Sequence, residues 1–276
     1  MVELSTLAML NITNLSTLTE AWNRCWQGYF YEMSFSDENL KVWLTRGQVA
    51  LQNSIALLDR GKIVGFALLS QDGLDGWVAG TAIDPSYRGQ KLFAPMLQEQ
   101  IALGKRIGLS RLYLEVLSQN YALRTYQSVG FKYVRDLQIY RITPGELDPN
   151  CLHNPSQNFC EAELPNYFLA RQKARFVPAW QRRAHYLKRY HPVNAWLNFE
   201  GTAGMLFGGE KGTTLLDAWA AASDESVREL LTLINHRTGG EFSLTNQPQG
   251  PINSFLKKIE ILPTALQYEM VYEFIQ

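Results

Sequence analysis

The stretch PSYRGQKLFAPML, Pro85 to Leu97, decides how this chain is read, because it joins a strand-like run to a helix-like one. Before it, WVAGTAI (77–83) is a short apolar run of the kind that forms a buried strand. After it, FAPMLQEQIALGKRIG (93–108) spaces apolar residues for one helix face and ends on Gly108, where a left-handed residue closes a helix. The junction is basic, with Arg88, Gly89 and Lys91, and carries no acidic residue. A helix start presents unpaired N–H groups and about half a positive charge. A strand–loop–helix junction of this composition is therefore suited to an anion, a phosphate above all.

Working outward, the first half reads as a mixed α/β unit. TLAMLNIT (6–13) reads as a first strand, and STLTEAWNRCWQGYF (16–30) and SDENLKVWLTRG (36–47) as helices opening on Ser N-caps. SIALLDR (54–60), GKIVGFALLS (61–70) and GWVAGTAI (76–83) read as an antiparallel meander separated by turn residues. RLYLEVL (111–117) is a strand, NYALRTYQSVG a short helix ending at Gly130, and FKYVRDLQIYRI (131–142) a last strand. Residues 143–158, with three Pro, three Asn and one Gly, have the composition of a linker.

The second half repeats this order. VNAWLNFE, TAGMLFGG and TTLLDAWAA form a meander split by Gly201 and by GEKG (209–212). A helix over SDESVRELLTLINHRTGG follows, with Ser223 as its expected cap, then the strand EFSLTN, the helix INSFLKKIEI and the strand LQYEMVYEF. ALRTYQSVGF (122–131) aligns with INSFLKKIEI (252–261) without a gap. The expectation is two α/β domains in tandem, 1–145 and 146–276, each a mixed, mostly antiparallel sheet with flanking helices.

With 276 residues, 46% of them hydrophobic, the chain has material for two cores. Lys+Arg and Asp+Glu both number 26, so no global preference for nucleic acid or an anionic membrane is indicated. Cys25, Cys151 and Cys160 form no CxxC and are odd in number, which fits a reducing, cytoplasmic setting. No signal peptide and no run of 18 apolar residues is seen, so no membrane partner is expected. The histidines 153, 185, 191 and 236 show no paired ligand spacing, so no metal is expected.

Residues 77–131 resemble the GNAT superfamily of acyl-CoA-dependent N-acyltransferases. Three pieces carry the resemblance: TAIDPSYRGQKLFAPML, similar to the family's splayed strand with its Arg/Gln-x-x-Gly-x-Gly/Ala loop; the strand LYLEV; and NYALRTYQSVGF, similar to its Asn…Ala…Tyr…Gly-Phe segment. The resemblance implies acetyl-CoA as co-substrate, transfer to a small-molecule or peptide amine by direct attack, and a monomeric pseudo-dimer or a homodimer. It implies a cofactor site at Ala82, Ile83, Asp84, Arg88, Gly89, Gln90, Lys91, Leu92, Phe93, Asn120 and Tyr126. Lys91 and Phe93 depart from the family's glycine and small residue. Lys91 is expected to need no positive φ, and Phe93 to turn away from the pyrophosphate. Main-chain N–H groups at Ala82, Ile83 or Asp84 are the expected oxyanion partners.

In the family, a Tyr four residues before the Gly-Phe pair acts as general acid toward the CoA thiolate, and Tyr126 holds that place. A lysine-like amine with a pKa near 10.4 costs roughly 4.6 kcal/mol to deprotonate at pH 7, about 3.4 units at about 1.36 each. A base is therefore expected, with Glu115 the first candidate and Asp72 and Asp75 behind it. By resemblance the first two helices flank the acceptor, which implies Trp26, Tyr29 and Tyr31 as pocket residues, with Trp77 of the strand run beside them. A non-catalytic acyl-CoA-binding or regulatory module is the alternative, favoured by Lys91 and Phe93.

The second half has no Arg-Gly pair at the equivalent loop, and its helix opens with Asp224 and Glu225. Leu256 stands in place of Tyr126. It reads as a degenerate copy. ARQKARFVPAWQRRAHYLKRYH (170–191) holds seven Lys/Arg, no acid and interleaved aromatics. It reads as an amphipathic helix with solvated charges, broken at Pro178. Nucleic acid is not expected there, while an anionic ligand or acidic partner stays open.

Overall fold

The computed structural model describes residues 2–6, 15–147, 158–209, 211–221 and 224–275. The first-strand expectation beyond Thr6, most of the expected linker and the Ser223 cap lie outside the described residues. The chain divides into two compact units, Met1–Val134 with Glu269–Gln276, and Arg135–Tyr268.

In the first unit, β1 (Val2–Thr6), β2 (Ile55–Asp59), β3 (Lys62–Asp72) and β4 (Asp75–Ile83) form an antiparallel series, and β5 (Arg111–Leu117) runs parallel to β4. β3 is buried over eight consecutive positions, Ile63 to Ser70, because both its faces are covered. On one face α1 (Leu15–Cys25) and α2 (Asp37–Gly47) pack Leu18, Trp22, Leu40 and Leu44 against Ala56, Phe66 and Leu68. On the other, α3 (Phe93–Arg106) packs Met96 and Leu103 against Ile55, Leu57, Val64 and Ala67. The Ser36 hydroxyl caps α2 by accepting the Asn39 N–H at 3.2 Å, with Asp37 and Glu38 in the first turn. Gly108 and Gly130 adopt φ of 80° and 104°, the left-handed closures that the sequence predicts. α1 begins at Leu15, so Ser16 lies inside the helix rather than capping it.

In the second unit, β7 (Phe159–Ala162), β8 (Val193–Asn198), β9 (Ala203–Gly208) and β10 (Thr214–Ala220) form an antiparallel sheet ordered β10-β9-β8-β7. α7 (Asp224–Thr238), β11 (Phe242–Pro248) and α8 (Pro251–Lys258) follow, and the core gathers Met205, Phe207, Leu230, Ile234, Leu244 and Leu256. The segment 170–191 departs from the expected amphipathic helix. It is the end of α5 (Leu164–Arg171), two single 3₁₀ turns and the four-residue α6 (Ala184–Leu187). Two of its seven cations are not solvated: Arg171 and Arg182 are buried on Asp217.

The closing strands depart from a simple tandem. β6 (Lys132–Ile142), which ends the first repeat in sequence, pairs antiparallel with β11 from Leu137 opposite Pro248 to Ile142 opposite Phe242. β12 (Ala265–Glu273), which ends the second, lies beside β5. Phe274 N–H donates to Ser110 O at 3.0 Å, and Tyr272 packs on Phe131. Residues Arg135–Gly145 thus fall in the second unit and Glu269–Gln276 in the first, unlike the expected division at 145.

Candidate active site

β4 and β5 pair only from Asp75 opposite Arg111 to Trp77 opposite Tyr113. Beyond that, the edge of β4 that faces β5 has no strand partner among the described residues. A bulge lies in the same stretch: Leu69 pairs Val78 and Leu68 pairs Gly80, which leaves Ala79 unmatched. The Thr81 hydroxyl is buried there and has no hydrogen-bond partner among the described residues. A separated strand pair with a bulge and an unmatched hydroxyl forms a slot lined with main-chain polar groups.

The loop at the mouth of α3 is built from a 3₁₀ turn over Pro85–Tyr87 followed by Gly89 at φ 76° and Lys91 at φ 57°. Lys91 is therefore left-handed, contrary to the expectation that it needs no positive φ. It keeps the backbone that the family's glycine supplies. Among the described residues, no acceptor is found for the N–H groups of Gly89, Gln90, Lys91 or Leu92. No side chain caps α3, so its first-turn amides are open too. The Phe93 ring, partly buried, packs against the core under α3 and meets Tyr126 edge-on, with ring centroids 5.5 Å apart.

Other expected cofactor residues serve the scaffold. The Asp84 N–H donates to Val64 O at 2.9 Å, so it is not available to an oxyanion. The Asp84 carboxylate pairs with Arg24 at 2.7 Å and accepts the Ser86 N–H at 2.9 Å. Burial raises its pKa, but the Ser86 N–H and the Arg24 guanidinium outweigh that and hold it below the usual carboxylate value. Ala82 and Ile83 are buried opposite Phe66 and Gly65. Gln90 donates to Ser86 O at 3.1 Å. The Arg88 guanidinium donates to the carbonyls of Ile83, Cys25 and Gln27 at 3.0, 2.9 and 2.8 Å.

Tyr126, on α4 (Ala122–Ser128), is 6% exposed between Phe93 and Phe131. Among the described residues its hydroxyl has no hydrogen-bond partner. Burial, with a smaller contribution from Tyr29, pushes its pKa well above that of a free phenol. The Asn120 carboxamide accepts the Ala122 N–H at 2.9 Å and faces the Tyr29 hydroxyl. Tyr29, Phe93 and the Asn120–Tyr126 segment, far apart in sequence, are thereby brought together. Trp26 stands against Tyr29 with centroids 4.7 Å apart and continues inward to Trp22 at 5.6 Å, while Tyr31 lies 6.4 Å from Tyr29 and is exposed. The Trp26 indole N–H is buried without a hydrogen-bond partner among the described residues. Trp77 and Glu115 form a separate pair at the point where β4 and β5 part, the indole N–H donating to the carboxylate at 2.5 Å. Of the other carboxylates considered, Asp75 is paired with Arg111 at 2.8 Å.

Sequence reasoning missed the Ala79 bulge, Thr81 and the Arg24–Asp84 pair. None has a local signal, because each depends on a partner strand or helix.

Residues 8–131 match the model of the Acetyltransferase (GNAT) family. Over these residues the chain is similar to GNAT acetyltransferases. The whole chain shares its fold with solved GNAT structures. A GCN5-related N-acetyltransferase from Sphaerobacter thermophilus superposes with a TM-score of 0.64 at 12% identity, over 99% of this chain and 95% of that one. A tandem GNAT protein from the clavulanic acid biosynthesis pathway gives 0.62 at 11%, over 99% and 98%. A protein from Pyrococcus horikoshii gives 0.68 at 12%, over 100% and 89%. At these identities the likeness is one of fold: two GNAT-like α/β repeats in one chain. No curated protein matches the chain by sequence. Among the described residues, no helix is long and apolar enough to cross a membrane, and no cluster of metal-ligating side chains is found.

Proposed function

We propose that the first unit binds acetyl-CoA and transfers its acetyl group directly to an amine acceptor, a small molecule or a peptide. The observation that carries this is the pairing of an open amide row, Gly89 to Leu92 at the mouth of α3, with the unpartnered edge of β4 beyond Trp77. The first suits a diphosphate, and the second suits an extended amide-bearing chain that adds to a strand edge.

The Tyr126 phenol, like any phenol, keeps its proton at neutral pH, and burial strengthens that hold. It is the group we assign to protonate the departing thiolate, with the Asn120–Tyr29 contact fixing the entrance to α4. A cysteine-like thiol has a pKa near 8.5, so the proton moves uphill and needs the thiolate held close. Main-chain N–H groups at the Ala79 bulge are the candidates for the developing oxyanion, since Asp84 is excluded. Glu115, held by Trp77, is the candidate base, and Trp26, Tyr29, Tyr31 and Trp77 are the candidate acceptor wall.

The test is release of free CoA thiol on a panel of amines, comparing wild type with Tyr126→Phe. A fall in kcat of about 10²-fold with acetyl-CoA affinity held is the expected result; equal turnover removes Tyr126 from the mechanism. Phe93 lying against Tyr126 favours a second reading, an acyl-CoA-binding module without catalysis. Acetyl-CoA binding with no thiol release on any amine is the outcome that selects it.

A further inference from the structure

The Arg88 side chain occupies an unexpected place for a loop cation beside a phosphate site. Its guanidinium points back under the loop, and three of its five donors go to main-chain carbonyls. One, Ile83 O, ends β4. The other two, Cys25 O and Gln27 O, stand at the C-terminus of α1. The last carbonyls of a helix have no partner within it and carry partial negative charge. Arg88 thus completes α1 from a distance of 63 residues in sequence. The turn it holds passes through Gly28, at φ 73°, where an added Cβ would sit 3.7 Å from the guanidinium. The next residue is Tyr29, packed on Trp26 and facing Asn120.

We propose that Arg88 is a positioning residue that ties the cofactor loop to the α1 turn, so that Tyr29 is held at the Tyr126 side of the site. This rests on the acetyl-transfer reading for its role in turnover, but not for the tie itself. A guanidinium fork spanning two helix-end carbonyls and a strand-end carbonyl cannot be replaced by a single ammonium. If Arg88 acted as a charge on the diphosphate, lysine would substitute for it.

The experiment compares Arg88→Lys and Arg88→Gln by native-state amide exchange, by calorimetry with coenzyme A, and by steady-state kinetics on an accepted amine. Both variants are expected to speed exchange across residues 25–31 by about tenfold or more, as a local opening. Both are expected to leave coenzyme A affinity within about twofold and to raise the amine KM or lower kcat alike. Unchanged exchange in both variants overturns the proposal. So does a lysine variant that behaves as wild type beside a glutamine variant that loses coenzyme A about tenfold. Should neither variant fold, Tyr29→Phe supplies the test: unchanged KM and kcat would show that the turn places nothing the reaction uses. Exchange and calorimetry need no turnover, so a chain that acetylates no amine sinks the proposed function and leaves the tie to be judged on exchange alone.

Discussion

Lys91 holds a left-handed backbone at φ 57°, a conformation that costs an L-residue roughly 1–2 kcal/mol relative to glycine. Lys91→Gly relieves that cost but loosens the unfolded chain, so the net gain expected is about 0.5–1 kcal/mol. A thermal melt should show Tm rising by a few degrees, and a fall would contradict the strain assigned to the loop. The loop's glycine pattern was half legible: Gly89 announces a left-handed position, whereas a lysine in the same state gives no sign of it. Cys25 makes a second residue-scale prediction. It is fully buried at the end of α1, and burial pushes its thiol from 9.0 up to about 12. Because its folded pKa is raised, its contribution to stability is complete below pH 9 and is lost as pH rises toward 12. Tyr126, also raised, acts in the same direction above the ordinary phenol range. Melts between pH 8 and 11 should show falling Tm. Iodoacetamide at pH 8 should modify the exposed Cys160 and spare Cys25, and modification of folded Cys25 would contradict its sealing.

Among the elements, β4 carries the most function and the least local signal. Its strand character is plain in WVAGTAI, but its parting from β5 depends on how far a second strand follows it. Gly80 shows what the bulge accommodates. A Cβ there would stand 3.1 Å from the Trp22 ring, which is buried and packed on Trp26, Phe35, Trp43 and Phe66. The ring has little room to yield, so Gly80→Ala is expected to cost about 1–3 kcal/mol. If Trp22 moves, Trp26 and Tyr29 move with it, and the amine KM should rise with coenzyme A affinity little changed; an unaltered melt and KM would mean that the aromatic row is slack. The helices were the most legible elements, since caps such as Ser36 and closures such as Gly108 and Gly130 are local chemistry. The closing strands were the least. β6 and β12 alternate as strands should, yet nothing in either sequence names β11 or β5 as its neighbour, because strand pairing is a long-range choice.

At the scale of the whole molecule, two repeats share one element order, but only one keeps an open gap between its fourth and fifth core strands. In the second repeat the equivalent strands, β10 and β11, are unpaired, and Arg182 lies between them. Its guanidinium donates to Ala218 O on β10 at 2.7 Å and to Asn246 O on β11 at 3.2 Å. Asp217 holds it through Nε at 2.7 Å, while also accepting Arg171 at 3.1 Å and the Tyr167 hydroxyl at 2.8 Å. Asp224 and Glu225 occupy the first turn of α7, where the first repeat leaves open amides. A cleft filled by protein hydrogen bonds at one end and faced by acids at the other is poorly suited to an acyl-CoA. Calorimetric titration with acetyl-CoA should therefore give one site per chain, and a stoichiometry of two would return the second repeat to the list of binding domains. The same cluster sets a stability test. Asp217 is the carboxylate facing two buried guanidinium groups, and removing one partner of such a cluster strands its charge at a cost of about 3–5 kcal/mol. Asp217→Ala should lower Tm far more than Asp75→Ala, which breaks the half-exposed pair with Arg111 and is expected to cost no more than about 1 kcal/mol. Equal losses from the two variants would show that Arg182 is held by its carbonyl contacts rather than by the carboxylate.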